Sequence, residues 1–338
     1  MFVGHEYIRL ASIMNLDGYI LASFFTDKYQ NLIKFWKENR LKKVDKGIKG
    51  TNKTFSRQDL GGSIALFSLL TGEVVWSLPV PSPNGFYLKN DTIYVNSQDR
   101  ILITDHRKNI SRSLQHNLFN DLHTLEGTNH GFLIVSSGLD LILEIDPSGN
   151  ELYKWFGFEA GYTRDALGLA IDPLQTNINY NKKSISTLNQ AIHINSAILN
   201  ESENIIYATF FHQDQLVKID RQSGGVTVIS GNLNYPHSVR ERNNNLMVAS
   251  TRNNEVLEFS KKGRLINKVN GPFHWVRDYE LVNDKIILVA SANDNTIYLM
   301  DYYGGTLIRK ICFDKEWGIS KIKYLTKEQA ISIFKVSS

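Results

Sequence analysis

Apolar residues in this chain fall into short runs that close on small residues: GYILASFF (18–25), FLIVSS (132–137), IIYATF (205–210), LMVAST (246–251) and IILVAS (286–291). Runs of this length, apolar throughout rather than alternating, predict short strands covered on both faces. A second pattern follows them. An apolar strand leads into an Asp or Ser with a Gly a few positions on, as in LEIDPSG (143–149), VKIDRQSGG (217–225) and YLMDYYGG (298–305). LFSLLTG (66–72) is a weaker copy, and LITDHRKN (102–109) keeps the Asp without the Gly. Gly supplies the positive φ that such a hairpin turn needs.

The turn-opening residues are Ser68, Asp105, Asp146, Asp220, Ser260 and Asp301, separated by 37, 41, 74, 40 and 41 positions. The long interval equals one period plus about 30 residues, the size of the polar stretch 161–190. A period near 40 built from short strands predicts an all-β fold, a six- or seven-bladed β-propeller with one four-stranded blade per repeat. Innermost strands are expected to begin near His5, Asn84, His123, His193, His237, His274 and Trp317. The last unit, 317–336, is expected to supply two strands, with the N-terminal strands completing its blade. Residues 1–338 read as a single propeller domain with two polar insertions, 26–62 and 158–190. NLIKFWKENRLKK (31–43) within the first is a candidate helix.

PHSVRERNNNLMVASTRNNEVLEFS (236–260) and ASANDNTIYLMDYYGG (290–305) resemble NHL-type repeats. Histidines heading several inner strands are similar to the arrangement in arylsulfotransferase-type propellers. The resemblance spans most of residues 80–305 and implies the architecture more than an activity.

Aligning the repeats places His123, His193, His237 and His274 at equivalent positions, heading LHTLE, IHINS, PHSVR and FHWVR. Their spacings are 70, 44 and 37, and the first falls to about 40 without the insertion. Four imidazoles at one depth of a central channel would hold one another neutral, and neutral imidazole is the metal-binding form. The leading expectation is a metal-dependent enzyme, an oxidoreductase or lyase. A divalent transition metal (Fe, Cu, Zn or Mn) on these four side chains would act on a small organic substrate. The arylsulfotransferase resemblance implies a metal-free alternative, in which an axial His accepts a sulfuryl group and nearby Arg side chains hold its oxygens. Arg240 and Arg277 are the candidates, although strict strand alternation turns them away from the channel unless a bulge intervenes. Glu126 and Asp278 are candidate orienting carboxylates. Tyr235, Phe273, Trp275 and Trp317 are candidates for an apolar wall, or for packing between blades. A non-catalytic propeller that displays loops to a protein partner is the third reading.

His5 is a candidate fifth ring member, whereas His106, His116, His130 and His212 read as solvated. Net charge is +4, with 21% charged residues and no concentrated basic run beyond 40–53, so a nucleic-acid partner is not expected. The single cysteine, Cys312, allows no internal disulfide. The first residues lack the basic-then-apolar profile of a signal peptide, and no run reaches membrane-spanning length. A cytoplasmic protein that binds no membrane is the expectation.

Overall fold

The computed structural model describes residues 4–7, 17–39, 60–175 and 177–336, with backbone only for 4–7. The chain opens with β1 (Gly4–Tyr7), β2 (Gly18–Thr26), α1 (Tyr29–Asn39), β3 (Ser63–Ser68) and β4 (Val74–Pro79). Four complete sheets follow, each an antiparallel meander from the channel outward. They are β5 (Pro83–Lys89) to β8 (Arg112–Gln115), β9 (Leu122–Gly127) to β12 (Glu151–Phe156), β13 (Ile194–Asn200) to β16 (Val226–Ser230), and β17 (Pro236–Arg242) to β20 (Leu265–Asn270). A fifth meander, β21 (Val276–Asn283) to β24 (Leu307–Cys312), gains β1 as an outermost strand on β24. The chain then supplies β25 (Gly318–Thr326), which pairs with β2 as the innermost strand of the β2–β3–β4 sheet. Six blades result, and the ring closes by joining the two ends of the chain in one sheet.

This settles the blade count and corrects the reading of His5. It lies in β1, at the outer edge of the β21–β24 blade, far from any innermost strand. The other six expected innermost starts lead into β5, β9, β13, β17, β21 and β25. The last unit also differs from expectation, since its second element is a helix, α2 (Lys327–Phe334). Thr326 and Gln329 form a reciprocal capping box at its start, so the T-x-x-Q spacing outweighs the strand-like run AISIF. Tyr29 and Leu32 bury one side of α1, as the candidate helix at 31–43 required in outline. Residues 40–59, including the basic cluster, lie outside the described residues, as do residues 8–16.

The core is a series of wedges between blades rather than one central mass. In one wedge Leu21, Ile64 and Leu66 meet Phe86, Ile93 and Val95 of the next blade. In another Leu133, Val135 and Ile142 meet Ile194, Ala197 and Ile206. The second strand of each blade is therefore covered on both faces, as its unbroken apolar run demanded, and each such side chain contributes roughly 1.5–3 kcal/mol. Small residues are needed where blades converge. A Cβ on Gly85 would sit 3.0 Å from the His123 carbonyl oxygen of the neighbouring blade.

Candidate axial site

All six innermost strands break register near their first residues. β5 bulges at Asn84, β9 at His123–Thr124, β13 at Asn195, β17 at Ser238, β21 at Arg277 and β25 at Ser320–Lys321. A bulge turns neighbouring side chains to the same side of the strand, and every bulge residue lines a pocket of about 50 Å³ on the propeller axis. The bulges also tie the blades together. Asn84 Nδ2 donates to Leu122 O at 3.1 Å, Thr124 Oγ1 to Asn195 O at 3.2 Å, and Asn195 Nδ2 to Pro236 O at 3.0 Å. Ser238 Oγ donates to Asp278 Oδ1 at 2.6 Å, Ile322 N to Asp278 Oδ2 at 2.8 Å, and Ser320 Oγ to Asn84 O at 2.9 Å. These six bonds run once around the ring and span every junction between blades.

Register also decides which histidines share a depth. Pro236 and Val276 pair with the equivalent Ser250 and Ser291, so the counterpart of His237 in the next blade is Arg277, not His274. By the same test Leu122, paired with Ser136, precedes His123 as Pro236 precedes His237. His193 stands one residue before Ile194, which pairs with Phe210 at that level, so Asn195 fills the ring position there. Only His123 and His237 share one register. His274 is exposed, and its backbone N–H and carbonyl both bond Ser291 Oγ. The four-imidazole ring inferred from the sequence is therefore corrected to two imidazoles, one guanidinium and two asparagines, with the β25 bulge at Ser320–Lys321 as the sixth contribution.

His193 still approaches from above, its ring centroid 5.2 Å from that of His123. An aromatic collar follows the same level. Phe211 lies 5.0 Å from His193 and 4.6 Å from Tyr235, and Tyr235 lies 5.5 Å from Trp275. Tyr235 and Trp275 belong to this collar, but neither lines the axial pocket. Phe273 and Trp317 instead pack between blades, Trp317 5.1 Å from Phe24. His212 was read as solvated, yet its Nε2 contacts Thr187 O at 2.8 Å and its ring stands 6.1 Å from His193. The residue that sequence reasoning undervalued is Arg277, and two bulges conceal the signal that would have found it.

Nδ1 of His123 lies 3.0 Å from Asp121 O, and Nδ1 of His237 lies 3.0 Å from Tyr235 O. A carbonyl only accepts, so both rings carry their proton on Nδ1, and the neutral form presents the Nε2 lone pair. Burial, then the nearby Arg277 charge, holds His237 well below the ordinary imidazole pKa; the Tyr235 carbonyl works the other way. His193 is lowered by burial and then by His123. Beneath it the buried Asp140 carboxylate accepts the N–H groups of Ala191, Ile192 and His193. Burial nevertheless raises its pKa to about 6.

The cations of the channel are not equivalent. Lys321 Nζ meets Glu126 Oε1 at 2.6 Å, and Arg240 meets Asp278 and Glu280, each at 2.9 Å. Burial opposes the Arg240 charge, but Asp278 and then Glu280 outweigh it and raise its pKa. Arg277 has no carboxylate within ion-pair distance among the described residues. Its guanidinium carbon stands 5.1 Å from the centroid of the Phe25 ring, and burial lowers its pKa. A guanidinium stays charged in proteins, so beside the His123 and His237 rings the pocket holds one positive charge that, among the described residues, feels Asp121 and Asp278 only from beyond ion-pair distance. Among the described residues, no group of three or more His, Cys, Asp and Glu side chains could hold a metal ion.

A Bacteroides caccae protein of unknown function is similar in structure, with TM-score 0.60 at 12% identity over 91% of this chain and 99% of its own. A chain from the nidogen–laminin complex matches with TM-score 0.58 at 10% identity, over 91% and 98%. Identities this low show the fold alone. No family model matches the chain, and no curated protein does. The class is that of β-propellers, here with six blades around a polar, cation-bearing axial pocket. Within that class no particular superfamily is shown, neither the NHL type nor the arylsulfotransferase type.

Proposed function

We propose that the axial pocket binds the oxyanion group of a small organic ester and that the chain catalyses its metal-free transfer, as a sulfuryl group, through His237. The observation that carries this reading is Arg277, which stands in the register of His237 on the adjacent blade and, among the described residues, has no carboxylate within ion-pair distance. Arg277 would hold the sulfate oxygens, for which a guanidinium is well matched. The Nε2 lone pair of His237 would attack sulfur as the ester oxygen leaves. The depressed pKa of His237 keeps that lone pair available at neutral pH. His123 lies at the same depth and would donate a hydrogen bond to the oxyanion only when its Nε2 is also protonated, since Nδ1–H is held by the Asp121 carbonyl. A space of about 50 Å³ suits the head of the molecule.

Titration of the purified protein with sulfate and phosphate, beside turnover of 4-nitrophenyl sulfate to a phenol acceptor, tests the proposal. Oxyanion binding should fall by about tenfold or more in Arg277→Met, and turnover should vanish in His237→Ala. Absence of oxyanion binding by the wild type would sink it. A metal-dependent oxidoreductase or lyase is the second proposal, favoured by one observation, the 5.2 Å approach of His123 and His193. Stoichiometric Fe, Cu, Zn or Mn in the purified protein would put that reading first. If neither anion nor metal binds, a partner-displaying propeller is the reading left.

A further inference from the structure

Residues 157–175 and 177–193, between β12 and β13, fold over one end of the β9–β12 blade and border a half-open cavity of about 210 Å³. Its roof is pinned at two places. Asn120 Nδ2 donates to Tyr180 O at 2.7 Å and Lys183 O at 2.8 Å, while Asp140 takes the three N–H groups that precede β13. The space is therefore preformed. Its walls are mixed in polarity and partly flat, with Phe156 and Phe158 stacked at 5.8 Å and 21° beside Ile171, Leu174 and Ile178. Lys183 and Asp172 line it as an opposite pair, and the third charged residue of the lining, Asp140, is already engaged by three backbone N–H groups.

One side chain does not fit a structural lining. Gln190 is 2% exposed and lines the cavity; its Oε1 lies 2.6 Å from His193 Nδ1. Its Nε2 is buried with no hydrogen-bond partner among the described residues. An unmet buried donor costs about 1–3 kcal/mol, a cost that an acceptor delivered into the cavity would remove. An apolar cavity of about 150 Å³ suffices to take up benzene, so this one admits a fused bicyclic ring.

We propose that the cavity is a second ligand site, separate from the axial pocket, which takes a flat, uncharged fused-ring molecule whose carbonyl oxygen accepts from Gln190 Nε2. Because Gln190 also holds His193, whose ring meets that of His123, occupancy of this site is felt at the channel.

Calorimetric titration with 2-naphthamide, indole-3-carboxamide, coumarin and naphthalene tests the proposal, with the His193 ring followed by NMR. The carbonyl compounds should bind at least about tenfold tighter than naphthalene and shift the His193 ring signals. Gln190→Met should remove that advantage, and Ile171→Trp, which fills the cavity, should abolish binding while sulfate affinity at the axial pocket stays unchanged. Leu174→Trp serves if the first filling variant does not fold. Failure of all three carbonyl compounds to bind overturns the proposal, as does equal affinity for naphthalene or binding that survives cavity filling.

Discussion

PHSVR in the β17 blade and FHWVR in the β21 blade look like two copies of one instruction, yet they fold three residues out of step. In the first, His237 enters the channel and Ser238 is the bulge. In the second, His274 stays exposed outside the strand, Arg277 takes the bulge, and Asp278 follows it inward. What sets the register is the partner strand. LMVAS and IILVAS align their Ser250 and Ser291, and the inner strand is threaded from there. Matching letters between repeats therefore say less about equivalence than matching buried partners do. The difference also has a chemical result, because one blade gives the pocket a lone pair and the next gives it a positive charge.

The sharpest way to break the comparison is at the residues that follow His237 and Arg277. Asp278 is 1% exposed and accepts from Ser238, Arg240 and Ile322 N. Asp278→Ala should cost about 3 kcal/mol, since it leaves Arg240 with Glu280 as its remaining carboxylate and takes the acceptor from Ser238 Oγ and Ile322 N. Ser238→Ala, at the corresponding place one blade earlier, should cost only about 1 kcal/mol. Urea unfolding of the two variants measures both, and equal costs would mean that the blades are energetically interchangeable after all.

A smaller effect tests the link between the two ring positions. Arg277→Gln removes a positive charge near His237, so the His237 pKa should move up toward its ordinary value of 6.5, though not reach it while burial persists. NMR titration of the ring reads this directly. Stability follows with a definite sign. A depressed folded-state pKa means that the contribution of His237 is present above pH 6.5 and lost as pH falls below it toward the folded value. In Arg277→Gln that loss should shrink.

The smallest expected effect is at His274, where exposure and backbone-only bonding leave the ring little to do. His274→Ala should change stability by less than about 0.5 kcal/mol and leave sulfate affinity unaltered. A large loss of either would restore the sequence-based equivalence with His237.

The sequence carried the fold well because period and burial are local properties. Runs such as IILVAS are legible as strands with two covered faces, and Asp146, Asp220 and Asp301 mark their hairpins. It carried the site less well because a bulge is a two-against-one mismatch between strands, visible in neither strand alone. His123 and His237 were found in their true register; Arg277 was noticed but turned outward by an alternation rule that the bulges suspend. The same rule hid Lys321 altogether. The end of the chain was misread for a related reason, since AISIF has the look of a strand and only the Thr326–Gln329 cap tells otherwise.

Closure of the ring through β25 has a temporal consequence. Lys321, Ser320 and the Ile322 amide that anchors Asp278 all arrive with that strand. Translation must pass Thr326 before the channel has its sixth wall, while β2, made some 300 residues earlier, waits for its inner neighbour. During synthesis the blades between them can fold in turn, but the pocket on the axis is completed last.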